Sequence, residues 1–346
     1  MNSLQEKLET IYPCRKKQIE DLYNLFGYED EPLVDAVYVY GSSSTGKTSI
    51  VKSLLRGLNL KCAFINLVEC YTSKILFESI LNQLSGHKID VIKAQPYARC
   101  DNMMEFITYL KKCAEAVDLS RSVIVLDKAE RLRDMDSNLL PAFLRLTELA
   151  QLSISVILIS EIVFDNYCYR NEIVTPIKIH FSQYTKEEIL EILSLNLDTA
   201  RDMIASSYGS ELGITEGFYL DYLNVFLSVF HRACRDVSEL RYMAKLNFVK
   251  YCEPVARKKC ELEDSMTLWR HIAPILKSSL EVLYMRISPV DHSSPNPLSF
   301  TAKESLPAIP RTSLLRQIHT GRRILGQLQS SQGRQTTLHE ISRQKN

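Results

Sequence analysis

The chain has 346 residues, 45% of them apolar and 24% charged, and its net charge is +1. That length can bury two hydrophobic cores, and the near-zero balance excludes a polycation drawn to nucleic acid by its overall field. Nine cysteines occur without a single C-x-x-C pair, which argues against zinc. Their odd number, behind a start with no secretory apolar core, argues against a disulfide framework. Reduced thiols in the cytosol or nucleus are expected, and no apolar run approaches the ~20 residues of a membrane span.

In chain order, residues 15–26 place Ile19, Leu22, Tyr23 and Phe26 on one helical face. Residues 34–40 read as a first strand. Next comes Gly41-Ser42-Ser43-Ser44-Thr45-Gly46-Lys47-Thr48, a complete G-x-x-x-x-G-K-[ST] P-loop, with a helix-like run behind it. Gly41 and Gly46 let the backbone curl until successive N–H groups, through Ser42, Ser43, Ser44 and Thr45, face phosphate oxygens. The new helix adds the positive end of its dipole. Lys47 supplies a point charge for the β- and γ-phosphates, and the Thr48 hydroxyl is placed to ligate Mg²⁺ directly. The pattern predicts binding of a nucleoside triphosphate, ATP with Mg²⁺.

Residues 62–66 form a second strand, 74–84 and 103–117 helices, and Ser122-Val-Ile-Val-Leu-Asp127 a buried strand. Residues 139–149 read as helix, 153–160 as a fourth strand, and 177–181 as the strand that closes the sheet. Strands alternating with helices predict an α/β domain over residues 1–183 with a five-stranded parallel sheet. From Thr185, opening with the capping-box pattern Thr185-Lys-Glu-Glu188, only helices are expected. They cover 186–197, 218–231, 237–248 and 266–285, giving an all-α domain over 184–288. Residues 289–346 carry eight Lys or Arg against three Asp or Glu and are rich in Ser, Gln and Pro. They read as a disordered basic tail, with a basic helix over 314–328 as the alternative.

Asp127 ends its strand where the carboxylate that holds Mg²⁺ through water belongs beside a P-loop, the Walker B role; capping the next helix is the other reading. Many hydrolytic members of this class have Glu in the next position to activate water. Here it is Lys128, which cannot accept a proton at neutral pH without a large pKa shift. Glu130 is the candidate substitute, its direction open. The expectation is ATP binding with weak or no hydrolysis. Ser160, at the end of the fourth strand, is either a γ-phosphate sensor or a plain strand-end serine. Arg241, in the run Arg235–Arg241 at a helix start, is placed to close over phosphate or to sit at the surface. Arg170 is placed to act on a neighbour's nucleotide as an arginine finger, a role that exists only in an oligomer.

Several of these segments together resemble the initiator branch of the AAA+ ATPases, to which the origin recognition complex subunits belong. They are Tyr12-Pro-Cys-Arg15-Lys-Lys-Gln-Ile19, the P-loop itself, Phe64-Ile-Asn-Leu-Val-Glu-Cys70, Leu126-Asp-Lys-Ala-Glu130, residues 138–145, Ser160-Glu-Ile162 and residues 246–254. The resemblance spans about residues 8–288. It implies an AAA+ domain followed by a helical lid, with the Arg15 segment wrapping the adenine. It also implies a nuclear role beside other origin recognition complex subunits and origin DNA, with no membrane. ATP would then be structural cement for a ring that helps load the replicative helicase. Two departures stand out. The sensor-2 position is Ser238 rather than arginine, leaving Arg241 as the nearby substitute. A winged-helix region is expected after the lid, so the tail looks like a truncated or alternatively spliced form. The rival readings are an active AAA+ motor and a P-loop kinase.

Overall fold

The structure, a computed structural model, describes residues 3–87, 95–119, 121–136, 138–167, 174–208 and 213–285. In chain order α1 (Ser3–Ile11) and α2 (Lys16–Phe26) precede β1 (Ala36–Gly41) and α3 (Lys47–Gly57). Then follow β2 (Lys61–Asn66), α4 (Ser73–Ser85), α5 (Met103–Ala116) and β3 (Ser122–Asp127). A 3₁₀ turn (Ala129–Asp134) leads to α6 (Leu139–Leu144), α7 (Leu146–Ala150), β4 (Ile154–Ser160), α8 (Phe164–Tyr167) and β5 (Ile177–Phe181). All strand pairs are parallel, in the order β2-β3-β4-β1-β5.

This order places the functional end of the sheet. Every residue of β4, and all of β3 but Asp127, is buried, because helices cover both faces. Successive side chains point to opposite faces. Val123 and Val125 pack with Ile50, Leu54 and Ile19 from α3 and α2, and Ile124 and Leu126 with Phe77, Phe106 and Phe143 from α4, α5 and α6. Register sets Asp127 beside Ile159 and Tyr40 beside Ser160. The ends of β1, β3 and β4 therefore open on one shared edge, where ligands of parallel sheets bind.

Outer strand edges carry unpaired backbone groups that invite pairing with other chains. The Gln83 side chain of α4 covers β2 by donating to the Phe64 carbonyl (3.1 Å) and accepting from its N–H (2.7 Å). Gln18 of α2 donates to the His180 carbonyl on β5 (3.2 Å).

The lid comprises α9 (Lys186–Ser194), α10 (Leu197–Tyr208), α11 (Glu216–Phe230), α12 (Val237–Ala256) and α13 (Ser265–Met285). Thr185 and Glu188 form the full capping box at the start of α9. The lid core is aromatic: Tyr222 packs against Tyr219, Phe226, Phe248 and Tyr251, and its buried hydroxyl donates to the Ala244 carbonyl (2.7 Å).

The expected elements differ from the observed ones in several places. The helix expected over 186–197 stops at Ser194, because the Asn196 side chain bonds the carbonyls of Ile192 and Leu193 (3.3 and 3.1 Å) and ends the ladder. A separate α10 follows, and α1, the 3₁₀ turn and α8 also form outside the expected elements. The 139–149 helix divides at Arg145. α12 runs on past Phe248 to Ala256, with Pro254 tolerated in its last turn.

Candidate nucleotide site

Two glycines shape the loop between β1 and α3. At Gly41 a Cβ would collide with the Phe181 carbonyl of neighbouring β5, so only glycine lets β1 leave the sheet there. Gly46 sits at φ 90°, in the left-handed region, and starts α3. Lys47 folds back under the loop. Its ammonium donates to the carbonyls of Gly41 (2.8 Å) and Ser42 (2.6 Å) and contacts the Thr45 hydroxyl (3.5 Å). Lys47 is buried, and burial lowers its pKa from 10.5 to about 8.

The opposite wall comes from β3 and β4. The Thr48 hydroxyl donates to Asp127 Oδ2 (3.0 Å), and the Lys128 N–H donates to Asp127 Oδ1 (2.9 Å). Burial raises the Asp127 pKa against the pull of these donors. Lys128 has φ 60° and ψ 45°, and its ammonium forms an ion pair with Glu161 Oε1 at 2.5 Å. The Ser160 hydroxyl donates to Glu130 Oε2 (2.8 Å) and accepts from the Ile162 N–H (3.1 Å).

A cavity of about 120 Å³ lies between these walls, lined by Ser43 through Ser49, Asp127, Lys128, Ile159, Ser160 and Glu161. The loop residues, Lys47, Thr48, Asp127 and Ser160 are thus brought together. Gly41 and Ser42 stand behind the cavity, as acceptors for Lys47. Glu130 is not part of its wall and is buried, its carboxylate engaged by Ser160. The donors contributed by Thr48 and Asp127 are oxygens, the chemistry that suits Mg²⁺. Among the described residues no group of three or more His, Cys, Asp or Glu could hold a metal ion, and no helix is long and apolar enough to cross a membrane.

Two expected site residues fall elsewhere. Arg15 does not line the cavity; it is buried behind the P-loop. Its Nε donates to the Thr45 carbonyl (3.1 Å), and its Nη atoms donate to Ser182 Oγ (3.4 Å) and to the Ser182 carbonyl (2.6 Å). Its guanidinium stacks on Tyr184 at 3.8 Å, whose hydroxyl donates to the same Thr45 carbonyl (3.1 Å). Arg241 is exposed on α12 and lines no part of the cavity. The lid instead meets the loop through Asp236, which accepts from Ser43 Oγ (3.2 Å), and Ser238, whose hydroxyl bonds Ser44 Oγ (3.1 Å). Arg170 lies outside the described residues, as does the 289–346 tail.

Glu161, Tyr184 and Asp236 were not singled out from sequence. Glu161 carried a usable signal, since it follows the end of a strand beside β3. Tyr184 and Asp236 carried none, because their partners on the loop lie 139 and 193 residues away.

Comparison with known proteins gives a consistent picture. Residues 12–159 match the family profile described as AAA ATPase domain, and residues 219–286 the profile described as ORC5, lid domain. The chain is 37% identical over 300 residues to origin recognition complex subunit 5 of Drosophila melanogaster, covering 83% of this chain and 64% of that protein. Against the subunit 5 of Homo sapiens it is 36% identical over 281 residues, covering 81% and 62%. The chain therefore spans under two thirds of the length of these curated relatives. A chain in the structure of Drosophila ORC bound to DNA superposes with a TM-score of 0.72 at 37% identity, covering 84% of this chain and 73% of that one.

Proposed function

The chain belongs to the origin recognition complex subunit 5 family of AAA ATPase-domain proteins, and from that premise we propose that it binds Mg²⁺-ATP as an assembly subunit and hydrolyses it weakly or not at all. One observation carries this reading. Lys47, Thr48 and Asp127 line a single cavity, while the position that activates water in hydrolytic relatives is Lys128, its ammonium bonded to Glu161. Lys47 would hold the β- and γ-phosphates. Thr48 would ligate Mg²⁺ directly, with Asp127 behind a water. Bound Mg²⁺ neutralises phosphate charge. The chain's own part is to orient the phosphates and to exclude a general base. Glu130 is a poor substitute for that base, since Ser160 holds its carboxylate in the protein interior.

The α/β part, residues 1–183, would carry the nucleotide and residues 184–288 the lid. Other origin recognition complex subunits and origin DNA would be the partners, in the nucleus, with bound ATP stabilising subunit contacts during ring assembly and helicase loading. The active AAA+ motor and the P-loop kinase are the rivals, and both require turnover. The deciding experiment measures nucleotide content and ATP turnover of the purified chain, with and without candidate phosphate acceptors. Retained ATP without turnover is expected; brisk hydrolysis or phosphate transfer would overturn the assembly reading.

A further inference from the structure

The residue that removes the general base also adds a cation to the cavity, and its backbone is unusual. Lys128 has φ 60° and ψ 45°, a conformation that residues with a Cβ seldom adopt without a reason in the surrounding structure. It is fixed there by its own N–H, which donates to Asp127 Oδ1 (2.9 Å). This turn sets the lysine side chain at the mouth of the same cavity that Lys47 and Thr48 line. Its ammonium meets Glu161, the residue after Ser160 at the end of the adjoining strand, and Glu161 lines the cavity too.

Resting on the nucleotide reading above, we propose that Lys128 is a second phosphate-binding lysine: the terminal phosphate of a bound triphosphate takes its ammonium from Glu161, so the site prefers triphosphate to diphosphate. Carboxylate and phosphate oxygens are interchangeable acceptors for an ammonium, and the phosphate carries more charge. The pair is easily exchanged because both side chains are partly solvated, 39% and 33% exposed, where ion pairs hold weakly. Lys47 cannot do this alone. It sits beneath the loop on the Gly41 and Ser42 carbonyls, whereas Lys128 stands on the strand-end wall beside Asp127. Without Lys128, the Glu161 carboxylate on that wall would face the terminal phosphate without the ammonium it now bonds. The substitution thus exchanges hydrolysis for retention of the triphosphate, which suits a nucleotide used as cement.

The test measures ATP and ADP affinity of the full chain by calorimetry with Mg²⁺, for the unaltered protein, Lys128→Met and Glu161→Gln. Lys128→Met is expected to lower ATP affinity about tenfold and to leave ADP affinity within about twofold. Glu161→Gln, which frees the ammonium, is expected to raise ATP affinity while ADP affinity stays the same. Equal shifts for both nucleotides, or loss of ATP affinity in both variants, would mean that the pair is a structural brace and would overturn the proposal. An unaltered chain that binds neither nucleotide would overturn the site reading itself. Glu161→Gln keeps the test decisive even where Lys128→Met disturbs folding.

Discussion

The two walls of the cavity hold their lysines in opposite ways. On the P-loop wall Lys47 is buried, touches only neutral oxygens, and has its pKa pushed down to about 8. On the strand-end wall Lys128 is partly exposed and already neutralised by Glu161. Burial disfavours this ammonium even though the Glu161, Asp127 and Glu130 carboxylates attract it, so an incoming anion would complete the first wall. The second wall is complete as it stands and gains only what a phosphate offers beyond a carboxylate. In the proposed reading the first wall would govern whether a polyphosphate binds, and the second which one.

The largest effect that would break this division is at Lys47. Lys47→Ala is expected to reduce nucleotide retention by two orders of magnitude or more, about 3 kcal/mol or more, and to weaken association with partner subunits. Nucleotide content after gel filtration checks it, and unchanged content would remove Lys47 from the site. Arg15→Ala comes next and acts on a different property. It deletes a buried guanidinium that ties the Thr45 carbonyl to Ser182 and stacks on Tyr184, so a loss of stability on the order of 3 kcal/mol is expected. A thermal melt reads it directly. Arg15→Lys should recover only a minor part, since an ammonium cannot reproduce the planar fork. An unchanged melting temperature with lost nucleotide would restore Arg15 to direct ligand contact.

A pH series sharpens the contrast between the two lysines. Unfolded, Lys47 keeps its proton up to about 10.5, whereas in the fold it releases it near 8. Between those values the unfolded chain binds more protons, so this group's contribution to stability rises with pH across that window. Lys47→Met should lack the rise. Nucleotide binding has the opposite slope. A polyphosphate needs Lys47 charged, so affinity should fall above pH 8, by up to about tenfold per unit, with a proton taken up on binding. Calorimetry at pH 8.5 in buffers of different ionisation enthalpy measures that proton, and zero uptake would show that phosphate does not meet this ammonium.

What was legible in the sequence is what depends on near neighbours. The P-loop, the apolar strands ending in Asp127 and Ser160, and the Thr185 capping box are local patterns, and each places its residues without knowledge of the rest of the chain. Arg15 was assigned to the site, but whether it faces a ligand or the back of the loop depends on Ser182 and Tyr184, far along the chain. Arg241 rests on its place at a helix start and on the resemblance, neither of which shows that α12 meets the loop through Asp236 and Ser238 instead. α10 escaped notice because its buried face is small, only Ala200 and Ile204. The direction of Glu130 needed the register of β3 against β4, which sets Ser160 near the turn that follows Asp127.

The smallest expected effect tests whether the lid belongs to either wall. The family resemblance implies an arginine at the position of Ser238, whose hydroxyl bonds Ser44 Oγ at an exposed position. Such a bond competes with water, so Ser238→Ala should change ATP affinity by no more than about threefold, within 0.7 kcal/mol. Asp236 does two things at once: it accepts from Ser43 Oγ and caps α12 by accepting from the N–H groups of Ser238 and Glu239 (2.9 and 3.3 Å). Asp236→Ala loses both and should destabilise the lid by about 1 kcal/mol. Asp236→Ser can restore the cap without placing a carboxylate on the loop. Comparing Asp236→Ser with the unaltered chain therefore isolates the contact between lid and loop. Equal ATP affinities would confine the site to its two α/β walls, whereas tighter binding in Asp236→Ser would show that the carboxylate opposes an incoming phosphate.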